Sequence, residues 1–304
     1  MNAKSTPQMP TIKTWIKTAT EKLTAVKIES AHLDAELILA HALQKNRTYL
    51  HAHSDDIISV KQVKIANEFL KLRLKRIPMA YITTEKEFFG RKFVTLFGTV
   101  LIPRPESEDI INSLKQILPI RMRVLPSKIS KLIGLQSMEE IKLYDIGTGS
   151  GCLGITAKLE FPDLDVSLID ICKTALNIAA LNAKLLSASV TLIQGDLLEN
   201  FHERPNIIIA NLPYVDKTWE RSPETNYEPT KALFANDEGK ALIKKLIRQA
   251  NNIMIRGGYL IIESDPSQHE SLIEYAKKHS FIFTNKLGYV ITFSKRISDE
   301  SRSK

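Results

Sequence analysis

Two short segments hold residue types whose spacing could do chemistry. In Asp145-Ile146-Gly147-Thr148-Gly149-Ser150-Gly151 an apolar stretch ends on an aspartate, and glycines follow at alternate positions. Glycine lets a backbone turn sharply and approach a bound molecule, and a helix beginning behind such a turn offers unpaired N–H groups and partial positive charge. Taken alone, the segment serves equally as a tight strand-to-helix connection. The second segment, Asn211-Leu212-Pro213-Tyr214, follows the apolar run Ile207-Ile208-Ile209-Ala210. The side-chain oxygen of Asn211 and a backbone carbonyl after it can each accept one hydrogen of a planar –NH2 group. That would orient the nitrogen lone pair towards an electrophile and stabilise developing positive charge without prior deprotonation. Tyr214 supplies a flat wall for a planar amide or base. As a bare tetrapeptide this is a turn closing a strand; its place after the fourth strand of an alternating pattern favours the chemistry.

The elements needed to position these segments are readable from hydrophobic periodicity. From residue 142 onwards strands and helices alternate: strands at 142–146, 166–169, 190–194, 206–210 and 259–263, with helices at 153–161, 175–186, 237–256 and 268–279 and a closing hairpin at 281–293. This pattern predicts an α/β fold with a doubly wound, mainly parallel sheet, which binds ligands beyond the carboxyl ends of its strands. Asp170 ends the second strand, where a carboxylate can accept hydrogen bonds from both hydroxyls of a ribose. Asp196, after the third strand, is placed to meet the other end of the same ligand, or to cap a turn.

The first 78 residues predict a small helical domain, with apolar faces at Ile12, Trp15, Ile16, Ala19 and Leu23, at Leu33 to Leu39, and at Phe69, Leu70 and Leu74. Residues 79–103 predict a β-hairpin connector broken at Gly90, and 104–304 the α/β domain. Residues 119–140, with Pro126 and Gly134, predict an irregular linker.

Composition sets the remaining bounds. Hydrophobic content of 43% and charged content of 25% are those of a soluble globular chain. The formal charge of +8 invites a nucleic-acid partner, but the basic residues are scattered, with modest concentrations at 71–76, 121–131 and 240–248, and read first as solvated faces. No run has the length of a membrane span, and Met1 to Pro10 is polar with no apolar signal stretch behind it. Cys152 and Cys172 form neither a disulfide framework nor a metal-ligand spacing, and His41, His51 and His53 receive no role. The expectation is a cytoplasmic protein without a metal.

The glycine loop, Gly-Thr-Gly-Ser-Gly with Asp145 two residues ahead, differs from the Gly-x-Gly-x-x-Gly of NAD enzymes and resembles that of S-adenosylmethionine enzymes. Asn211-Leu212-Pro213-Tyr214 is similar to the Asn-Pro-Pro-Tyr loop of methyltransferases acting on planar nitrogens, with Leu212 in place of the first proline. A more specific likeness lies upstream. Arg76-Ile77-Pro78-Met79-Ala80-Tyr81-Ile82, Glu87-Phe88, Leu101-Ile102-Pro103-Arg104-Pro105-Glu106 and Tyr227-Glu228-Pro229 resemble the protein-(glutamine-N5) methyltransferases of peptide chain release factors, the PrmC/HemK family.

That resemblance implies a Rossmann-like methyltransferase domain using S-adenosylmethionine, and as substrate the glutamine of a Gly-Gly-Gln loop in a release factor, with the helical domain holding that partner. It implies Asp145, Gly147, Thr148, Gly149, Ser150, Gly151, Asp170, Asp196, Leu197 and Asn211 at the cofactor. Asn211, Leu212, Pro213 and Tyr214 would hold the glutamine, with Asn211, Pro213 and Tyr214 catalytic. Arg104 and Glu106 would line or brace the site, or form a salt-bridged connector. Thr84 stands where relatives commonly have glycine, and Leu197 where an aromatic would pack on adenine. The competing substrate is the adenine N6 of DNA or RNA, which the same Asn and Tyr could serve on a flipped base. A non-catalytic binding protein on a retained fold is a second rival.

Overall fold

A computed structural model describes residues 9–122 and 141–297, with the side chains of 119–122 outside that description. Contacts divide the chain into two compact units, Met1–Thr84 with Ser222–Tyr227, and Glu85–Arg221 with Glu228–Lys304.

The first unit is helical: α1 (Ile12–Ala25), α2 (Ala31–Leu43), α3 (Arg47–Ala52), α4 (Val60–Leu74) and the single turn α5 (Met79–Ile82). Capping boxes start two of these. Thr11 pairs reciprocally with Thr14 ahead of α1, and Ser59 with Gln62 ahead of α4, satisfying N–H groups that the helix itself leaves unpaired. The face Ile12, Trp15, Ile16, Ala19 and Leu23 is buried against Ala35, Ile38 and Leu39 of α2 and Ala66 and Leu70 of α4. The Trp15 indole N–H donates to Asn67 Oδ1 at 3.0 Å. Arg73 of α4 is also buried; its Nε donates to Asp34 Oδ2 at 2.6 Å and its Nη1 to Glu224 Oε1 at 3.0 Å. Glu224 comes from the excursion 222–227, which Arg76 and a hydrogen bond from the Tyr227 hydroxyl to the Lys75 carbonyl also hold. Thr84 ends the unit with φ at 59°, a left-handed conformation that glycine takes without strain and a β-branched residue rarely adopts.

The second unit begins with an antiparallel hairpin, β1 (Glu85–Phe88) and β2 (Arg91–Val94), turning on Phe89 and Gly90, both with positive φ. A helix follows where the sequence suggested none: α6 (Glu108–Met122) buries Ile110, Ile111, Leu114 and Leu118. Those four residues fall on one helical face, and the helix carries the chain past Pro119. The predicted irregular linker at 119–140 is thus helical to 122, and the rest lies outside the described residues.

The seven-stranded sheet has the order β5-β4-β3-β6-β7-β9-β8, comprising β3 (Lys142–Ile146), β4 (Asp165–Asp170), β5 (Thr191–Gln194), β6 (Ile207–Ala210), β7 (Tyr259–Glu263), β8 (Phe281–Leu287) and β9 (Val290–Lys295). Strands β5, β4, β3, β6 and β7 pair in parallel, and the closing hairpin pairs antiparallel. This is the doubly wound α/β architecture the alternation predicts. Period-two alternation feeds two helical layers. Tyr144, Ile146, Ile208, Ala210, Leu260 and Ile262 pack with Ile243, Leu246 and Ile247 of the helix Ala241–Ile253. Leu143, Ile207, Ile209 and Ile261 pack with α6, α7 (Cys152–Glu160) and α8 (Lys173–Leu185).

One predicted boundary is wrong. The helix expected over 237–256 begins only at Ala241, because Asp237, Glu238 and Gly239 all have positive φ, which a right-handed helix cannot contain. They form a turn instead, with φ of 84° at Gly239, where a Cβ would lie 1.9 Å from the Tyr214 carbonyl oxygen.

Candidate active site

The parallel register brings five strand ends to one edge of the sheet. Ile146 lies opposite Ile169 on one side and Ala210 on the other, Asp170 opposite Gln194, and Ala210 opposite Ile262. The loops that begin at Gly147, Ile171, Gly195, Asn211 and Ser264 therefore leave together. The strand order reverses between β3 and β6, so the glycine loop and the Asn211 loop flank the switch point where such sheets bind ligands.

The three glycines of the first loop have different physical reasons. A Cβ on Gly147 would meet Leu212 Cδ2 at 2.8 Å, and one on Gly151 would meet Ile155 at 2.7 Å and Ala179 at 3.2 Å; both also have positive φ. Gly149, with φ of 54°, has nothing within 4 Å of its Cβ position. Gly151 is thus held to glycine by packing as well as by φ and Gly147 chiefly by its φ, whereas Gly149 presents bare backbone to open space, as a cradle for a ligand does.

Two carboxylates shape that loop. Asp170 accepts from the Gly149 N–H at 2.9 Å and the Cys172 N–H at 2.8 Å, one on each oxygen, and is partly exposed. Each oxygen keeps a lone-pair direction for a further donor, which fits a ribose diol. Asp145 is fully enclosed; its Oδ2 accepts from the Thr148 hydroxyl at 2.6 Å and the Gly154 N–H at 2.9 Å, tying the loop to the first turn of α7. Asn182 of α8, also fully buried, donates to the Ser150 carbonyl at 2.9 Å and accepts from the Val94 N–H at 2.7 Å. Burial pushes the Cys152 thiol up to about 12, so it is not a thiolate near neutral pH.

Loss of water pushes the Asp145 carboxyl up from 3.8 to about 6, against the opposing pull of Thr148 and Gly154. The folded chain therefore holds a proton that the unfolded chain releases. Stability from this group is complete below the unfolded value of 3.8 and is lost as pH rises through 6. Asp145→Asn, which keeps an acceptor for Thr148 and Gly154, should gain stability over the parent by roughly 2 kcal/mol more at pH 7.5 than at pH 4. Urea unfolding at the two pH values measures the gap; an equal gap at both would show that the buried charge is not its cause.

The Asn211 loop is stitched from both sides. Asn211 Nδ2 donates to Ser107 Oγ at 2.8 Å, which leaves Asn211 Oδ1 as the acceptor of that side chain. Leu212 is buried in the core, the Tyr214 hydroxyl donates to Glu263 Oε1 at 2.9 Å, and Val215 bridges Phe234. Gln268 Nε2 donates to the Tyr214 carbonyl at 2.9 Å and the Glu238 carbonyl at 2.7 Å. Burial, reinforced by the neighbouring Glu263, raises the Tyr214 phenol, which stays neutral.

The other residues singled out by the sequence are more dispersed. Arg104 is bound to Glu228, a buried carboxylate that also accepts from the Ile102 N–H at 3.1 Å, while Glu106 is exposed on the turn Pro105–Ser107. Asp196 pairs with Lys245 at 2.7 Å, and Leu197, with φ of 54°, is buried in the core. Ser107, Asn182, Glu263 and Gln268 were not singled out. Each is one polar residue whose partner lies far along the chain. Among the described residues no cluster suited to a metal ion is present, and no helix is long and apolar enough to cross a membrane.

Residues 14–83 match the PrmC N-terminal domain, and residues 129–227 match the methyltransferase small domain. A release factor glutamine methyltransferase of Leptospira interrogans is 34% identical over 270 residues, covering 86% of this chain and 88% of that one. The chain belongs to the release factor glutamine methyltransferase family. Its counterpart in Bacillus cereus is 31% identical over 256 residues, covering 81% of this chain and 85% of that one. Among solved structures, a 16S rRNA N2 G1207 methyltransferase of T. Thermophilus aligns at 12% identity and a TM-score of 0.46, over 70% of this chain and 49% of that one. Leu212 packs into the core directly beneath the glycine loop.

Proposed function

We propose that this chain transfers a methyl group from S-adenosylmethionine to the side-chain amide nitrogen of the glutamine in the Gly-Gly-Gln motif of a peptide chain release factor, in the cytoplasm. The observation that carries the reading is the fixed orientation of Asn211 at the switch point, its NH2 taken by Ser107 and its Oδ1 left as acceptor. Membership of the family supplies the substrate class.

The cofactor supplies a methyl group on a sulfonium, an electrophile that needs no activation by the protein. Gly147 to Gly151, with bare backbone at Gly149, and Asp170, with unfilled acceptor positions, would hold it, Asp145 and Thr148 setting the loop from behind. Asp196 and Leu197 would close its adenine side. The protein's task lies with the nucleophile, because an amide lone pair is delocalised. Asn211 Oδ1 and a carbonyl of the following loop would each accept one amide hydrogen, turning the lone pair towards the methyl and stabilising the positive charge that grows on nitrogen. The S–C bond of the cofactor would be exchanged for the new N–C bond, and the methylated nitrogen would give up one proton to solvent. Pro213 biases Leu212 towards the extended backbone, which would turn its carbonyl to the site, and the Tyr214 ring would wall the planar amide. Arg104 would brace the site through Glu228, and Glu106 would line its mouth. The helical region, 1–78, would hold the release factor, with 79–103 as connector and 104–304 as the transfer domain.

The test is incubation of the purified chain with methyl-labelled cofactor, with release factor in one tube and unmethylated DNA or RNA in another, and mass mapping of the product. Label on the Gly-Gly-Gln glutamine supports the reading. Label in nucleic acid alone overturns it in favour of adenine, and cofactor binding without transfer to either would point to a non-catalytic protein.

A further inference from the structure

The reactive loop is fastened at Tyr214 by a segment that takes no part in the transfer itself. That segment runs from Glu263, the last residue of β7, through the turn Pro266–Gln268. Glu263 is 1% exposed, and its Oε1 accepts from the Tyr214 hydroxyl at 2.9 Å. Gln268 is buried as well, and both of its polar atoms are engaged. Its Nε2 donates to the Tyr214 carbonyl at 2.9 Å and to the Glu238 carbonyl at 2.7 Å, while its Oε1 accepts from the Asp265 N–H at 3.1 Å.

Those partners leave Gln268 a single orientation. Carbonyls only accept and an N–H only donates, so turning the amide over would break all three bonds. Its grip on Tyr214 falls on one peptide plane. The Tyr214 carbonyl and the Val215 N–H belong to the same planar unit and point in opposite directions. Gln268 holds the first, and the Leu233 carbonyl accepts from the second at 3.0 Å. The turn 237–239 closes on the same carbonyl, since a Cβ on Gly239 would lie 1.9 Å from it and 2.5 Å from Gln268 Nε2. Tyr214 is thus fixed along its backbone and at the far end of its ring. The hydroxyl needs only an acceptor in Glu263, a part that a carboxyl fills with or without its proton. A helix cap alone would use Gln268 Oε1 and have no call on Nε2. Resting on the function proposed above, we infer that Gln268 and Glu263 are positioning residues, Gln268 setting the Tyr214 peptide and Glu263 the tip of its ring, so that the ring stands at one height and tilt beside the substrate amide. In this arrangement neither touches substrate or cofactor.

Two substitutions separate the cap from the clamp. Gln268→Glu keeps an oxygen for the Asp265 N–H but sets an acceptor against two carbonyls, and Gln268→Met removes both functions at similar size. The first arm needs no substrate. In the isotope-labelled full chain, NMR follows hydrogen exchange of the Val215 amide, which shares its peptide plane with the Tyr214 carbonyl. Slow exchange is expected in the parent, and exchange faster by about tenfold or more in both Gln268 variants, while the amides of β6 and β7 keep their parent rates. In the second arm, with release factor protein and labelled cofactor, kcat should fall by about tenfold or more in Gln268→Glu, Gln268→Met and Glu263→Met, with KM changed by less than about threefold. Glu263→Gln, which keeps an acceptor for the Tyr214 hydroxyl, should recover most of what Glu263→Met loses. Parent-like Val215 exchange and kcat in Gln268→Glu would leave Gln268 a helix cap and overturn the inference. So would exchange that quickens equally through β6 and β7, the mark of a merely structural role, or losses as large in Glu263→Gln as in Glu263→Met. If Gln268→Glu fails to fold, Gln268→Met carries both arms, and parent-like Val215 exchange there overturns the inference too. Should the parent leave release factor unlabelled, the proposed function falls, and the exchange arm still decides whether Gln268 fixes the Tyr214 peptide.

Discussion

Replacing Asn211 by alanine is expected to slow methyl transfer by about 10²–10³-fold, the usual cost of removing one preorganised hydrogen-bonding group from a site of developing charge. The loss should appear in kcat and in kcat/KM together, because the acceptor matters most when the nitrogen is becoming positive. Single-turnover rates with saturating cofactor and release factor measure it. Fold integrity should survive, since Asn211 is only partly buried and its side chain makes one hydrogen bond, to Ser107. A variant whose KM rose while kcat held would reduce Asn211 to a binding contact and remove it from the chemistry.

The second large effect is on stability. Arg73 and Asp34 are paired inside the helical unit with side chains 7% and 5% exposed, and Glu224 shares the arginine. Arg73→Met should cost about 3–5 kcal/mol, because it strands the Asp34 charge in a site that water does not reach. Asp34→Leu with Arg73→Met should recover most of that loss, since removing both charges also removes the penalty for burying them. Trp15, buried in the same unit, reports the unfolding by fluorescence, and Trp219→Phe silences the other tryptophan of the chain. If the double replacement were as unstable as the single one, the desolvated charge would not be the source of the loss.

The centre of the sheet was legible because two layers of helices bury both faces of β3, β4, β6 and β7, which makes them read as continuous apolar runs bounded by turn residues. The glycine loop and the Asn211 segment were legible because each needs an unusual local composition. The helix over 108–122 was not recognised, although Ile110, Ile111, Leu114 and Leu118 have the right spacing; Pro103, Pro105 and Pro119 surround them and suggest a break. The 237–240 turn was mistaken for helix because a run of polar residues leads into a strong amphipathic pattern, and nothing local announces positive φ at Asp237 and Glu238. Ser107 and Glu263 escaped notice for a deeper reason. Hydrogen bonding at a site is settled by tertiary pairing, and a lone serine or glutamate in a sequence gives no sign of the partner it will meet.

The excursion at 222–227 bears on how the protein could be divided. The chain leaves the sheet-bearing unit after Arg221, contributes Glu224 and Tyr227 to the helical unit, and returns at Glu228. A cut after Thr84 therefore yields no self-contained fragment on either side. The amino-terminal piece would lack the carboxylate that shares Arg73, and the remainder would display an orphaned acidic strap. Modular exchange of the helical region between relatives would have to carry both stretches, as a two-crossover graft in place of a simple fusion.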